Sequence, residues 1–98
     1  MTKNFAEELI VAKSLWDGIQ AETNSLKSLF GTNAKRAEEI ARTLVLTHTM
    51  FQRVLRNAPL NSKIREVALA LLSNVEPKLL FIPPKLRDSL MRSVSLKS

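Results

Sequence analysis

The sequence predicts an all-α, single-domain fold: a small helical bundle in which a long antiparallel helical hairpin is followed by a third helix and a short C-terminal helix. Three observations support this prediction. Apolar residues recur with a mean spacing of 3.5 residues over two long segments, which is the period of an amphipathic helix. No segment shows the alternation of polar and apolar residues that is typical of a strand. A chain of 98 residues builds one hydrophobic core.

The first helix is predicted over residues 5–30. Its apolar stripe follows intervals of four and three residues: Phe5, Leu9, Ala12, Trp16, Ile19, Thr23, Leu26 and Phe30. Gly31 stands where a glycine commonly ends a helix. Gly18 is the expected weak point, because glycine inside a helix costs about 1 kcal/mol relative to alanine.

The second helix is predicted over residues 34–57, after a short turn in which Thr32 or Asn33 provides the N-cap. Its stripe is Ala37, Ala41, Leu44, His48, Phe51, Leu55 and Ala58. Pro59 requires the helix to end before it. Two long helices joined by about three residues fold back on one another as an antiparallel hairpin.

Two further helices are predicted over residues 62–75 and 84–94. Asn61 or Ser62 caps the third helix, and Pro77 ends or kinks it. The last helix begins at Pro84, since proline suits the first turn of a helix. Between these helices lies the apolar run 79–82, which two prolines follow.

Apolar residues outside the main stripes suggest a surface for a protein partner. Ile10, Val11, Leu15 and Leu29 widen the first helix face. On the second helix and in the run before the prolines, the predicted partner-binding residues are Val45, Leu46, Met50, Val54, Leu79, Leu80, Phe81 and Ile82. Either the third and fourth helices cover these faces or a second subunit does, and we expect a homodimer. For the run 79–82, the alternative is a linker that closes the open end of the bundle.

The positive charge lies entirely after residue 31. The formal net charge is +6 and the pI is about 10.2, so an anionic partner has to be considered. Residues 1–31 carry three basic and four acidic residues. Residues 32–98 carry twelve basic and five acidic residues. The predicted anion- or nucleic-acid-binding residues are Lys35, Arg42, Arg53, Arg56, Lys63 and Arg65. The last four are expected to form one patch around the turn at Pro59, although the aromatic residues lie on the apolar stripes and not among these cations.

The residue types argue against catalysis. The absence of cysteine excludes disulfides, Cys-based zinc sites and thiol nucleophiles. His48 lies on an apolar stripe, where we expect a packed histidine with one hydrogen-bonded nitrogen, or alternatively a pH-sensitive interface. Neither a glycine-rich phosphate loop nor a Gly-x-Ser-x-Gly turn is present. We therefore predict no catalytic residue, no metal site, no cofactor and no small-molecule substrate.

The predicted function is a non-catalytic protein–protein interaction module with a regulatory, adaptor or assembly role. It would act through apolar helix faces, with the basic exterior steering an acidic partner. The alternative is a nucleic-acid-binding protein that uses the basic surface after residue 31. No apolar run approaches the length of a transmembrane segment, and the N-terminus lacks the pattern of a signal peptide, so we expect a cytoplasmic protein.

Overall fold

Five α-helices and one 3₁₀ helix make up the fold, and the all-α prediction is confirmed. The computed structural model describes the backbone of residues 5–97 and the side chains of residues 5–94, and this part contains no strand. The helices are α1 (Phe5–Thr23), α2 (Leu26–Thr32), α3 (Ala34–Asn57), α4 (Lys63–Val75), the 3₁₀ helix (Glu76–Phe81) and α5 (Pro84–Lys97).

Helix α3 is the centre of the bundle. It contacts α1, α2, α4, the 3₁₀ helix and α5. Its buried side chains lie on several sides of the helix and include both stripe and off-stripe positions: Ala37, Ile40, Ala41, Leu44, Val45, Thr47, His48, Met50, Phe51 and Val54. A helix that is apolar over most of its circumference has to be covered on several sides. The later helices of the same chain supply that cover.

Two ion pairs record the antiparallel register of α1 and α3. Near the start of α1, the Glu8 carboxylate lies 3.4 Å from Arg53 Nε near the end of α3. Near the end of α1, Glu22 accepts a hydrogen bond of 3.0 Å from Arg36 Nε at the start of α3. Both pairs are partly exposed, and solvent screens the attraction in such pairs. They align the hairpin while the buried stripes hold it together.

The single helix predicted over residues 5–30 is in fact two helices. The break falls at Asn24 and Ser25, and Gly18 lies inside α1 without interrupting it. Thr23 Oγ1 donates to the carbonyl of Gln20, and the Ser25 amide donates to the carbonyl of Glu22. Threonine, asparagine and serine side chains compete for backbone hydrogen bonds, so three of them in succession disrupt the helix more than one glycine does.

The turn before α3 is shorter than predicted. Helix α2 continues through Gly31 to Thr32, and no described residue has a positive φ. Gly31 is therefore not the left-handed cap that was expected. Asn33 alone connects the helices: its amide donates to the Leu29 carbonyl, and its Oδ1 accepts from the Arg36 amide at 3.2 Å.

The apolar run 79–82 contributes two residues to the core. Residues 79–81 end the 3₁₀ helix that follows α4, and Ile82 is its C-cap. The N-terminus of α4 is capped by Ser62 as predicted. Leu79 and Ile82 are buried, whereas Leu80 is 73% exposed. Helix α5 begins at Pro84 as predicted and extends three residues beyond the predicted end.

Truncating two adjacent leucines tests the placement of this 3₁₀ helix. We expect Leu79→Ala to lower the free energy of unfolding by about 2–5 kcal/mol, because it leaves a cavity in the core. Leu80→Ala removes the same atoms from an exposed site, so it should change the free energy of unfolding by no more than about 0.5 kcal/mol. Chemical denaturation of the two variants measures both values. Equal losses would contradict the burial pattern described here.

Candidate anion-binding cleft

A cleft of about 740 Å³ opens between the C-terminal half of α3, α4 and α5. We call it the arginine cleft, and it is lined by His48, Thr49, Gln52, Arg53, Leu55, Arg56, Leu72 and Met91. The volume falls within the range of about 300–1,000 Å³ that is usual for ligand sites. Among the described lining residues, the two that carry a full charge are both arginines.

The polar wall of the cleft comes entirely from α3. His48, Gln52 and Arg56 are successive positions four residues apart, and Thr49 and Arg53 form a second row beside them. Residues three and four apart on a helix have Cβ atoms about 5–6 Å from each other. The side chains of Gln52, Arg53 and Arg56 can therefore converge on one ligand group.

Arg53 is held in place by the core and by Glu8. Its side chain is 24% exposed, and its Nε is buried, 3.4 Å from Glu8 Oε2. That separation is an ion pair and not a hydrogen bond, so this N–H has no hydrogen-bond acceptor within the described structure. This buried N–H lies next to Glu8 and is out of reach of a ligand, so Arg53 offers only its remaining donors to the cleft that its side chain lines.

Arg56 and Gln52 are the exposed members of the polar wall. Neither side chain makes a hydrogen bond or ion pair with another described residue. A guanidinium offers a planar pair of donors that matches a carboxylate or a phosphate. Thr49 differs, because its hydroxyl donates to the Val45 carbonyl at 3.1 Å and is left to act as an acceptor. The donors available to an anion are those of Gln52, Arg53 and Arg56.

The opposite wall is apolar and is built from three helices. Leu55 comes from α3, Leu72 from α4 and Met91 from α5. Met91 also borders a neighbouring shallow hollow that it shares with Asp88 and Arg92. The cleft thus combines a cationic side with an apolar side, and a residue of opposite charge lies just beyond Met91.

His48 lies in the cleft lining but is largely buried, at 9% exposed. Burial lowers the pKa of its imidazole below the ordinary 6.5, and the nearby Glu76 carboxylate opposes this only in part. The expected packed position is confirmed. The expected hydrogen bond is absent among the described residues, so His48 is a neutral, unbonded ring in the lining at neutral pH.

The four basic residues predicted around Pro59 take different positions. Arg53 and Arg56 meet in the cleft. Arg65 donates to the Leu55 carbonyl near the end of α3, so it joins α4 to α3. Lys63 is exposed in the first turn of α4 and does not line the cleft. Two of the four therefore line the cleft, and a common anion-binding patch of all four stays a prediction.

Lys35 and Arg42 are the other predicted cations, and they lie apart from the cleft. Both are exposed on the N-terminal half of α3. Arg42 is fourteen residues before Arg56, roughly 21 Å along the helix axis. It lies on the same helix but outside the site, which makes it a useful control.

Most of the predicted partner-binding residues are not available to a partner. Val45, Met50, Val54, Leu79 and Ile82 are buried in the core of the chain itself. That prediction is wrong for these five, because α4, the 3₁₀ helix and α5 fill the faces that the hairpin leaves open. Leu46 and Phe81 are half-buried, and Lys78 lies over the Phe81 ring at 5.6 Å. Of the eight, Leu80 is the one that is exposed.

Of the eight described residues that line the cleft, two, Arg53 and Arg56, were predicted from the sequence as binding residues. Thr49 and Gln52 were detectable in principle, because each lies four residues before one of the two arginines. Leu72 was recognised only as an apolar position of its own helix, and Met91 was not singled out. Their approach to the end of α3 depends on how α4 and α5 pack, which no local pattern records.

No group of described His, Asp or Glu residues is arranged to hold a metal ion. Within residues 5–97, no helix is both long enough and apolar enough to cross a membrane. Comparison with family models, curated proteins and solved structures finds nothing significantly similar to this chain.

The environment of His48 makes stability depend on pH. Because the folded state lowers the pKa of His48, the unfolded chain binds the proton more tightly. The free energy of unfolding should therefore decrease as pH falls from about 7.5 to about 5.5, through the ordinary pKa of histidine. Denaturation curves at several pH values measure this. In His48→Gln the decrease over this range should largely disappear, and an unchanged decrease would show that other groups cause it.

Proposed function

We propose that this chain is a non-catalytic protein-interaction module that holds an acidic segment of its partner in the arginine cleft. The observation that carries the proposal is the pairing of Arg53 and Arg56, one helical turn apart on the cleft wall. No described acidic residue shares that lining with them. The binding role is thereby assigned to the end of α3 and not to the apolar hairpin faces expected from the sequence.

The positions of the two arginines support this assignment. Arg53 is anchored by burial and by Glu8, so little side-chain entropy remains to be lost when it binds. Arg56 is exposed and reaches an approaching anion first. The overall charge of +6 favours encounter with an acidic surface and speeds association at low salt. A regulatory, adaptor or assembly role is consistent with such a module.

The proposal does not depend on a homodimer or on a cytoplasmic location, and both stay predictions. The homodimer was expected because the apolar faces of the first two helices are wider than one partner helix needs, which leaves either the later helices or a second subunit to cover them. The large apolar side chains still exposed among the described residues are Ile10, Val11, Leu60, Leu69 and Leu80. They are distributed over α1, the turn after α3, α4 and the 3₁₀ helix.

One observation favours nucleic-acid binding as a second candidate function. Lys35, Arg42 and Arg56 are exposed, and their spacings of seven and fourteen residues place them on one side of α3. They span roughly 32 Å of helix axis. A line of cations of this length can follow a phosphate backbone. This candidate uses the whole length of α3, whereas the leading proposal uses only its end.

Two charge reversals of equal net charge distinguish these functions. We expect Arg56→Glu to weaken binding of fluorescent poly-L-glutamate at least about tenfold, since it places a carboxylate on the cleft wall. Arg42→Glu makes the same change on the same helix but outside the cleft, so its effect should be much smaller. Fluorescence anisotropy of both variants, and of the wild type, gives the affinities.

Equal losses in the two variants would contradict a localised site. A preference for single-stranded DNA over poly-L-glutamate, with equal losses in both variants and a steep salt dependence, would instead support the second candidate.

A further inference from the structure

The two walls of the arginine cleft together specify more than a negative charge. The arginines and Gln52 account for one wall, and any carboxylate or phosphate satisfies them. Leu55, Leu72 and Met91 account for the other. An anion alone would leave this apolar surface in contact with water, so the fully complementary ligand carries an apolar group beside its charge.

We propose that the segment bound in the cleft pairs an aspartate or glutamate with a neighbouring large apolar side chain. The carboxylate lies against Arg53 and Arg56, and the apolar side chain lies against Leu55 and Met91, which are half-buried, whereas Leu72 behind them is 6% exposed. This inference rests on the proposed function and specifies the chemistry of the partner.

The apolar wall fits an aliphatic or aromatic side chain of a peptide. Met91 is half-buried and unbranched, and methionine adapts its shape to different apolar neighbours. Nucleic-acid bases are usually held by stacking on aromatic side chains. The described cleft lining contains no phenylalanine or tryptophan, and the nearby Phe51 is fully buried in the core.

The surroundings of Met91 do not continue the positive charge of the arginine wall. Asp88 and Arg92 together border the hollow on the far side of Met91, and their formal charges cancel. A peptide fits this arrangement because it can carry its charge on one residue and an uncharged side chain on the next.

A pair of fluorescent peptides of equal charge tests the inference. One alternates glutamate with leucine, and the other alternates glutamate with serine. We expect the leucine peptide to bind the wild-type chain about tenfold more tightly, which corresponds to partial burial of one apolar side chain. Anisotropy at a fixed salt concentration gives both affinities, and single-stranded oligo-dT serves as the nucleic-acid probe.

Variants on each wall assign the preference to the cleft. Met91→Ser should reduce the preference for the leucine peptide while leaving the affinity for the serine peptide nearly unchanged. Met91→Leu should retain the preference, which separates apolar contact from general damage to α5. Leu69→Ser removes an exposed leucine of α4 outside the cleft and should have no effect. Circular dichroism confirms that each variant is folded before it is compared.

The outcomes separate this inference from the proposed function. If both peptides bind equally and Arg56→Glu weakens both, the acidic site stands and the apolar requirement is wrong. If Arg56→Glu weakens neither peptide, or neither binds, the proposed function is wrong and the inference fails with it. Tighter binding of oligo-dT than of either peptide, abolished by Arg56→Glu, would overturn both in favour of nucleic acid.

Discussion

The need to bury α3 on several sides determines most of this structure. This helix has buried side chains from Ala37 to Val54, and each large apolar side chain among them contributes about 1.5–3 kcal/mol when it leaves water. Helices α1 and α2 cannot cover all of them, so α4, the 3₁₀ helix and α5 also pack onto α3. The arginine cleft lies where this cover ends, between Leu72 of α4 and Met91 of α5.

Some charged side chains of the bundle form ion pairs that join the two helices of the hairpin, and others face solvent. Arg36 is committed to Glu22 and Glu39, and these contacts raise its pKa while the guanidinium lowers that of Glu22. Arg53 forms an ion pair with Glu8, whereas Arg56 forms no ion pair with a described residue. The dipole of α3 alone favours cations in its last turn. It does not account for an apolar wall opposite them, which is the feature that directs our proposal to a ligand.

The sequence was sufficient to predict the fold class, the central helix and its caps. Most residues of the stripes with a 3.5-residue period are buried in α1 to α3, although Phe5, Phe30 and Leu55 are only half-buried. Asn33 and Ser62 cap their helices as expected. The break at Asn24 was missed because an uninterrupted apolar stripe crosses it, and Leu26 stays fully buried on the far side. The spacing of apolar residues indicates which face of a helix is buried. It does not indicate whether the backbone hydrogen bonds continue without a break.

The candidate site was less accessible to sequence reasoning for a related reason. Arg53 and Arg56 stood out by charge, but Arg65 carries the same charge and is used to join two helices. Val45 and Val54 were predicted to bind a partner because the apolar periodicity shows that a face must be covered. It does not show that a later helix of the same chain covers it. The three-dimensional structure was needed to separate the side chains that line the cleft from those that face the core.

The most direct test of the account is to observe the arginines individually while an acidic ligand is added. The chain has seven, and the Nε–Hε signals of an ¹⁵N-labelled sample can be followed as the peptide of alternating glutamate and leucine is titrated. The account predicts that the signals of Arg53 and Arg56 and the Gln52 amide shift together and saturate, while those of Arg36, Arg42 and Arg65 stay in place. Shifts spread evenly over all seven arginines, or confined to Arg42 and its neighbours, would contradict a binding site at the end of α3.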